Sequence, residues 1–365
     1  MTYTATRSSM HNTLDADDGW LIHACERGWI PDSVIRLGMR RLMRQRLIEE
    51  GVSDEALRSQ RLHTLLDELH ASPIAIETDA ANTQHYELPP SFFEAHLGPQ
   101  LKYSCCLYPR GDETLAQAEE AMLALCAERA QIEDGQRILD LGCGWGALAL
   151  WLATHYPNAE IVALSNSRSQ REFIEARAAS AGIRNLKVET GNVVQFEFGN
   201  TLRGGQFDRV LSVEMFEHMK NYGLLLERIA RWMHADGKLF VHVFAHRTLA
   251  YHFQARDATD WMSKYFFTGG TMPSEALLQH FQNDLRIDEQ WWIGGEHYAR
   301  TARQWLTNLD QARARVLPEL ALAYGVADAQ LWFQRWRMFY MAVAELFGYA
   351  RGSEWGVAHY RFDKR

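Results

Sequence analysis

Arg137-Ile138-Leu139-Asp140-Leu141-Gly142-Cys143-Gly144-Trp145-Gly146 joins an apolar run to an acidic residue and three close glycines. Ile138, Leu139 and Leu141 form the short apolar run that a parallel strand needs when both of its faces are covered. Gly142, Gly144 and Gly146 let the backbone approach a ligand with no Cβ in the way. The Ala- and Leu-rich stretch that follows, 147–155, reads as a helix whose N-terminus points at the same spot. The spacing is Gly-x-Gly-x-Gly and Asp140 precedes it, whereas a dinucleotide site carries Gly-x-Gly-x-x-Gly. A ligand made of an adenosine and an amino acid therefore fits better than NAD. The bland alternative is a glycine turn that holds nothing.

Outward from this loop, strand and helix patterns alternate. Strands are expected at 137–141, 160–164, 186–190, 207–213 and 238–244, with helices at 146–155, 168–181 and 221–234. Such alternation means a parallel sheet with helices on both faces, and a ligand at the carboxyl ends of the strands. Thr114 caps a further helix that runs to about Ala130. Upstream, 19–112 reads as an appended helical and cap segment, and 1–18 as a polar, disordered tail. The block 113–245 is the ligand-binding core. In 246–365 large rings accumulate, among them Tyr251, Trp261, Phe266, Phe267, Trp305, Trp332, Trp336 and Trp355. Most belong to core packing, and a few should line a substrate cavity. Apolar segments near 287–293 and 357–362 close the sheet as a hairpin pair, which makes the helical run 302–347 an insertion over the open edge, a lid.

With 365 residues and 47% hydrophobic content, the chain can bury a sizeable core. Its 38 basic against 46 acidic side chains, a net charge of −8, argue against nucleic acid as a partner. The dense basic run Arg36, Arg40, Arg41, Arg44 and Arg46 is interleaved with apolar residues at helical spacing, so one amphipathic helix with a solvated basic face is expected. Docking of that helix on an anionic membrane surface is the sharper alternative. Cys25, Cys105, Cys106, Cys126 and Cys143 form no metal or disulfide framework, which predicts reduced thiols, no structural zinc and a cytoplasmic location. No signal-peptide core and no apolar run of membrane-spanning length is present.

The fourth strand ends in Ser212-Val213-Glu214-Met215-Phe216-Glu217-His218-Met219-Lys220. Two carboxylates and an imidazole there face the ligand end of the sheet. Beside a loop that looks like the nucleotide side of a sulfonium-dependent methyltransferase, they suit an amine acceptor. Such an acceptor must be neutral to attack and becomes cationic afterwards. Glu214, Glu217 and His218 can hold it, accept its proton and stabilise the developing charge. A structural cluster capping the next helix is the alternative.

Lys102-Tyr103-Ser104-Cys105-Cys106, the loop 138–146, the stretch 214–222, Tyr265-Phe266-Phe267-Thr268-Gly269-Gly270-Thr271-Met272-Pro273-Ser274 and Glu345-Leu346-Phe347-Gly348-Tyr349 together resemble the plant coclaurine N-methyltransferases. That family is similar in turn to the cyclopropane-fatty-acyl-phospholipid synthases and the mycolic acid methyltransferases. The resemblance covers nearly all of 20–363. It implies an α/β, Rossmann-like class I methyltransferase sheet, mostly parallel with an antiparallel last strand. It implies S-adenosyl-L-methionine as cofactor, touched by Tyr103, Ser104, Asp140, Gly142, Cys143, Gly144, Gly146, Ser165, Asn166, Gln170, Asn192 and Val193. It also makes Glu214, Glu217 and His218 catalytic.

Two departures stand out. Ser165, Asn166 and Gln170 replace the acid that many methyltransferases place on the ribose, and the turn Gly191-Asn192-Val193-Val194 has no acid for adenine. Cys105, Glu217, His242 and Tyr298 match the set that holds a bicarbonate base in the cyclopropane synthases, but these four also occur in the amine enzymes. Glu214 discriminates, because the lipid enzymes tend to carry Gly there. His242 and His246, four apart across a strand end, make a poor zinc pair. The sequence thus predicts an N-methyltransferase acting on a small amine. The alternatives are methylene transfer to unsaturated lipid acyl chains and a non-catalytic cofactor-binding protein. Oligomeric state, a homodimer included, stays open.

Overall fold

Seven strands build the central sheet of the computed structural model, which describes residues 19–76, 88–198, 206–254 and 260–365. The tail reading for 1–18 lies outside the described residues. The strands are β1 (Arg137–Leu141), β2 (Glu160–Ser165), β3 (Leu186–Thr190), β4 (Phe207–Val213), β5 (Met233–His246), β6 (Leu285–Gly294) and β7 (Trp355–Lys364). Their order is β3-β2-β1-β4-β5-β7-β6. The first five run parallel, and β7 lies antiparallel between β5 and β6. β1 is buried at all five positions, which is why its sequence is a continuous apolar run and not an alternating one. Strand order reverses between β1 and β4, and that switch opens a crevice at their carboxyl ends.

The N-terminal helices are α1 (Trp20–Glu26), α2 (Asp32–Glu49), α3 (Glu55–Ala71) and the short α4 (Pro90–Glu94). Thr114 and Gln117 form a reciprocal capping box at the start of α5 (Leu115–Arg129). The sheet is flanked by α6 (Ala147–His155), α7 (Arg168–Ser180) and α8 (Tyr222–Trp232). After α9 (Trp261–Tyr265), helices α10 (Gly295–Gln311), α11 (Arg313–Tyr324) and α12 (Ala329–Gly348) are inserted between β6 and β7. Rings carry much of this insertion: Trp305 and Trp336 are fully buried, and Phe339 stacks on Phe266 at 4.4 Å. No helix among the described residues is long and apolar enough to cross a membrane.

One expectation is corrected in α2. Three of its five arginines are ion-paired to acids elsewhere in the fold, and two of those, Arg36 and Arg46, are largely covered, so the helix does not present a wholly solvated basic face. Arg36 and Arg40 bind Glu345 of α12 at 2.7 and 2.5 Å, and Arg46 binds Asp260 at 2.7 Å. Only Arg41 and Arg44 stand exposed without an ion pair to those acids, while Leu37 and Ile48 are 65% and 66% exposed. Acidic groups 214 to 309 residues away pair part of the basic face that helical spacing alone leaves solvated.

Candidate active site

The glycine loop is shaped by its backbone. Gly142 has φ +81°, and a Cβ there would lie 2.7 Å from Cγ of Met215. Gly146 caps α6 at φ +82°, where a Cβ would lie 2.6 Å from Ile174. Both positions admit only glycine without strain. The N–H groups of Gly142 and Cys143 both donate to the Leu164 carbonyl, at 2.9 and 3.1 Å, which ties the loop to β2.

A cavity at the strand ends is lined by Gly142, Gly144, Ser165, Asn166, Gln170, Asn192 and Val193 on one side and by Glu214, Met215 and His218 on the other. Asp140, Cys143, Gly146, Tyr103 and Ser104 are not part of that lining. Asp140 lies beneath the loop and accepts the Ala149 N–H of α6, and burial pushes its pKa up to about 7. Tyr103 packs between Phe93 and Trp305, and Ser104 Oγ accepts from the Lys102 ammonium. Ser165 Oγ donates to Gln170 Oε1 at 2.6 Å, which leaves the buried Gln170 Nε2 without a partner among the described residues. That orphaned donor pair and the Cβ-free loop fit the adenosine and amino-acid parts of S-adenosylmethionine.

Across the cavity, Glu214 takes φ +49°, a conformation that non-glycine residues rarely adopt and that marks functional sites. Its N–H donates to the His242 carbonyl at 2.8 Å. The turned side chain is held by three donors. Oε1 accepts from the Cys105 N–H at 2.9 Å and from His242 Nε2 at 3.2 Å, and Oε2 accepts from the Tyr298 hydroxyl at 2.6 Å. Burial raises the Glu214 pKa, while the Lys102 ammonium, the Cys105 N–H and the Tyr298 hydroxyl work against that rise.

Three of the four residues matched above to a bicarbonate set therefore close on the Glu214 carboxylate. Glu217 is instead fully buried behind it and does not line the cavity. Its Oε1 accepts the Phe244 N–H at 2.8 Å, and its Oε2 has no partner among the described residues. Burial, and then the negative charge of Glu214, push its pKa well above the carboxylate range. His218 stacks on Phe267 at 4.8 Å, within a ring cluster that includes Phe244, Phe253 and Phe347. Phe253 also borders an apolar cavity of about 1060 Å³ lined by α1, α2, Tyr251, Trp261 and Trp355.

Sequence reasoning passed over Lys102, Arg129 and His359. Lys102 lay inside a quoted motif, but nothing local announces that a lysine is buried. His359 sits opposite His242 on the neighbouring strand, a pairing visible only once β5 and β7 are aligned. His246 does not join His242. Its Nδ1 accepts the N–H groups of Thr248 and Leu249, and its Nε2 lies 3.3 Å from Glu354. Cys126, His242 and His359 do converge within 4.8 Å. Arg129 donates to His359 Nδ1 at 2.8 Å, so a neutral His359 carries its proton on Nε2, the very atom a metal would need.

A seven-stranded sheet with this order, a glycine loop after its first strand and a carboxylate facing that loop define an S-adenosylmethionine-dependent methyltransferase. The comparisons with known proteins say which one it resembles. The family model for mycolic acid cyclopropane synthetase matches residues 75–348, and the chain belongs to that family. It is 38% identical to an (S)-coclaurine N-methyltransferase of Thalictrum flavum subsp. glaucum over 94% of this chain and 95% of that protein. A crystal structure of coclaurine N-methyltransferase bound to N-methylheliamine and SAH superposes with a TM-score of 0.90 at 36% identity, covering 94% of this chain and 99% of the other. The cyclopropane-fatty-acyl-phospholipid synthase of Escherichia coli (strain K12) is 28% identical over 61% of this chain and 54% of that protein.

Proposed function

We propose that this enzyme methylates the nitrogen of a small, ring-bearing amine, with Glu214 as the group that receives the amine. The observation that carries this reading is the Glu214 carboxylate at the cavity mouth. Each carboxylate oxygen offers two lone pairs, and three of the four are taken by Cys105, His242 and Tyr298. The remaining one, on Oε2, is left for an N–H of the acceptor. A ligand set already filled by a side chain leaves a bicarbonate no comparable donors, which supports the amine reading over transfer to an alkene.

Bound against the glycine loop, S-adenosylmethionine supplies a methyl group on a positively charged sulfur, open to in-line displacement. Gly142, Gly144, Ser165 and Gln170 would hold it. Glu214 orients the neutral acceptor nitrogen, offsets the positive charge that grows as the new N–C bond forms, and then takes the proton from the ammonium product. Glu217, kept neutral by burial and by the charge of Glu214, leaves the pair with a single negative charge, carried by Glu214. Phe267 and His218 wall the reacting centre and limit its water. The apolar cavity beyond Phe253 suits the hydrophobic rings of such an acceptor, and the reduced cysteines suit a cytoplasmic enzyme.

The test is methyl transfer from labelled cofactor to a panel of primary, secondary and tertiary amines and, in parallel, to vesicles of unsaturated phospholipid. Incorporation into an amine that carries an N–H, primary or secondary, is expected. Label in the lipid alone would reject the proposal.

A further inference from the structure

Behind Glu214 lies a line of side chains that the reaction as described does not use. Arg129, at the last turn of α5, donates from its guanidinium to His359 Nδ1 at 2.8 Å. His359 Nε2 is 2.9 Å from His242 Nδ1, and His242 Nε2 is 3.2 Å from Glu214 Oε1. Both imidazoles are fully buried and come from directly opposed positions of β5 and β7.

The protons in this line are determined by one fact: arginine only donates. His359 Nδ1 must then accept, which puts the His359 proton on Nε2. That proton is given to His242 Nδ1, which puts the His242 proton on Nε2, facing the carboxylate. Burial drives both imidazoles well below the usual histidine pKa, with Arg129 and Lys102 adding to the effect, so both stay neutral and the directions do not scramble.

We propose that Arg129 and His359 are positioning residues which fix the tautomer of His242, so that His242 always donates to Glu214 and never accepts toward it. The proposal rests on the reading of Glu214 as the acceptor-binding anion. With the line cut at His359, His242 is free to carry its proton on Nδ1 and to turn a bare lone pair toward Glu214. The carboxylate then loses a donor and meets a repulsive dipole, and its protonation becomes easier. The other ionisable groups facing this line are Lys102, Cys105 and Tyr298 around Glu214, Glu217 behind it, and Cys126, whose Sγ lies 3.9 Å from His242 Nδ1. Of these only the Cys126 thiol reaches His242 Nδ1, and an S–H at that distance is a far weaker donor than the His359 N–H at 2.9 Å, so it does not hold the tautomer as His359 does.

The experiment has two arms on the full-length chain with S-adenosylhomocysteine bound. In the first, ¹⁵N-histidine NMR, with resonances assigned through His359→Gln and His242→Gln, reads the tautomers directly. Both imidazoles are expected to be neutral with the proton on Nε2 from pH 5.5 to 8.5. A titrating His242, or one protonated on Nδ1, overturns the proposal.

In the second arm, the pH profile of kcat/KM is compared for wild type, His359→Phe, His359→Gln and Arg129→Met. The acid limb of His359→Phe should move up by about one pH unit, the worth of one charge-assisted hydrogen bond. Affinity for S-adenosylhomocysteine should stay within about threefold. Gln, which can accept from Arg129 and donate to His242, should return the limb toward wild type. A folded His359→Phe with the wild-type limb refutes the relay. If that variant fails to fold, Arg129→Met carries the same test, since Arg129 is only partly buried. Should no amine be methylated by wild type, the proposed function falls, while the tautomers still decide the relay.

Discussion

Replacing Glu214 with Gln removes a charge and almost nothing else. The amide oxygen can take the place of Oε1 and keep the Cys105 and His242 donors, while the Tyr298 hydroxyl turns to accept from the new NH₂. Three charge-assisted hydrogen bonds become neutral ones, but the cost of burying a carboxylate with a side chain only 10% exposed vanishes as well, so stability should change little. Catalysis should not survive so well. A positioned general base is worth roughly 10²–10⁴ in rate, or about 2.7–5.4 kcal/mol of barrier, and the same charge also balances the ammonium product.

The assay is kcat and KM for the best amine over pH 6–9, beside calorimetric binding of S-adenosylhomocysteine. In wild type, burial holds the Glu214 pKa above its ordinary value, so activity is present above that raised pKa and is lost as pH falls through it. Glu214→Gln should show a kcat down by at least about 100-fold, no acid limb from this group and unchanged product affinity. Glu217→Gln, which imitates the neutral acid, should lose less. A kcat for Glu214→Gln within about threefold of wild type would refute the assignment.

Gly142→Ala places a Cβ 2.7 Å from Met215 at φ +81°, a strain of about 1–2 kcal/mol before any clash, and calorimetry should show cofactor-product affinity lowered by about tenfold or more. Asp140→Asn should stabilise the fold at pH 8 relative to pH 5. The folded pKa is raised from 3.8 to about 7, so the ionised carboxylate costs stability progressively as pH rises through that window, by up to about 4 kcal/mol above it, and urea midpoints at the two pH values read the difference. Glu345→Ala frees Arg36 and Arg40 and unties α2 from α12, and a loss of about 1–3 kcal/mol should appear in urea unfolding, with activity lowered less than stability.

What the chain announces by itself is what depends on near neighbours. The apolar run of β1, the three glycines and the Thr114 cap each act within a few residues, so their order along the chain already implied a mostly parallel sheet and a ligand at its carboxyl edge. Glu214, Glu217 and His218 were visible as a crowded triplet for the same reason, but their roles were not. A five-residue spacing says nothing of Glu214 turning at φ +49° toward Cys105, His242 and Tyr298, or of Glu217 turning into the core.

Tertiary structure alone decided which partners meet. Glu214 and Cys105 are 109 residues apart, and His242 and His359 are 117 apart. The ion pairs that cover part of the basic face of α2 were not foreseen, because the countercharges come from α12 and from Asp260. Hydrogen bonds and ion pairs reach only about 3–4 Å, so they are specified by how strands align and helices pack, and a linear spacing carries no record of either.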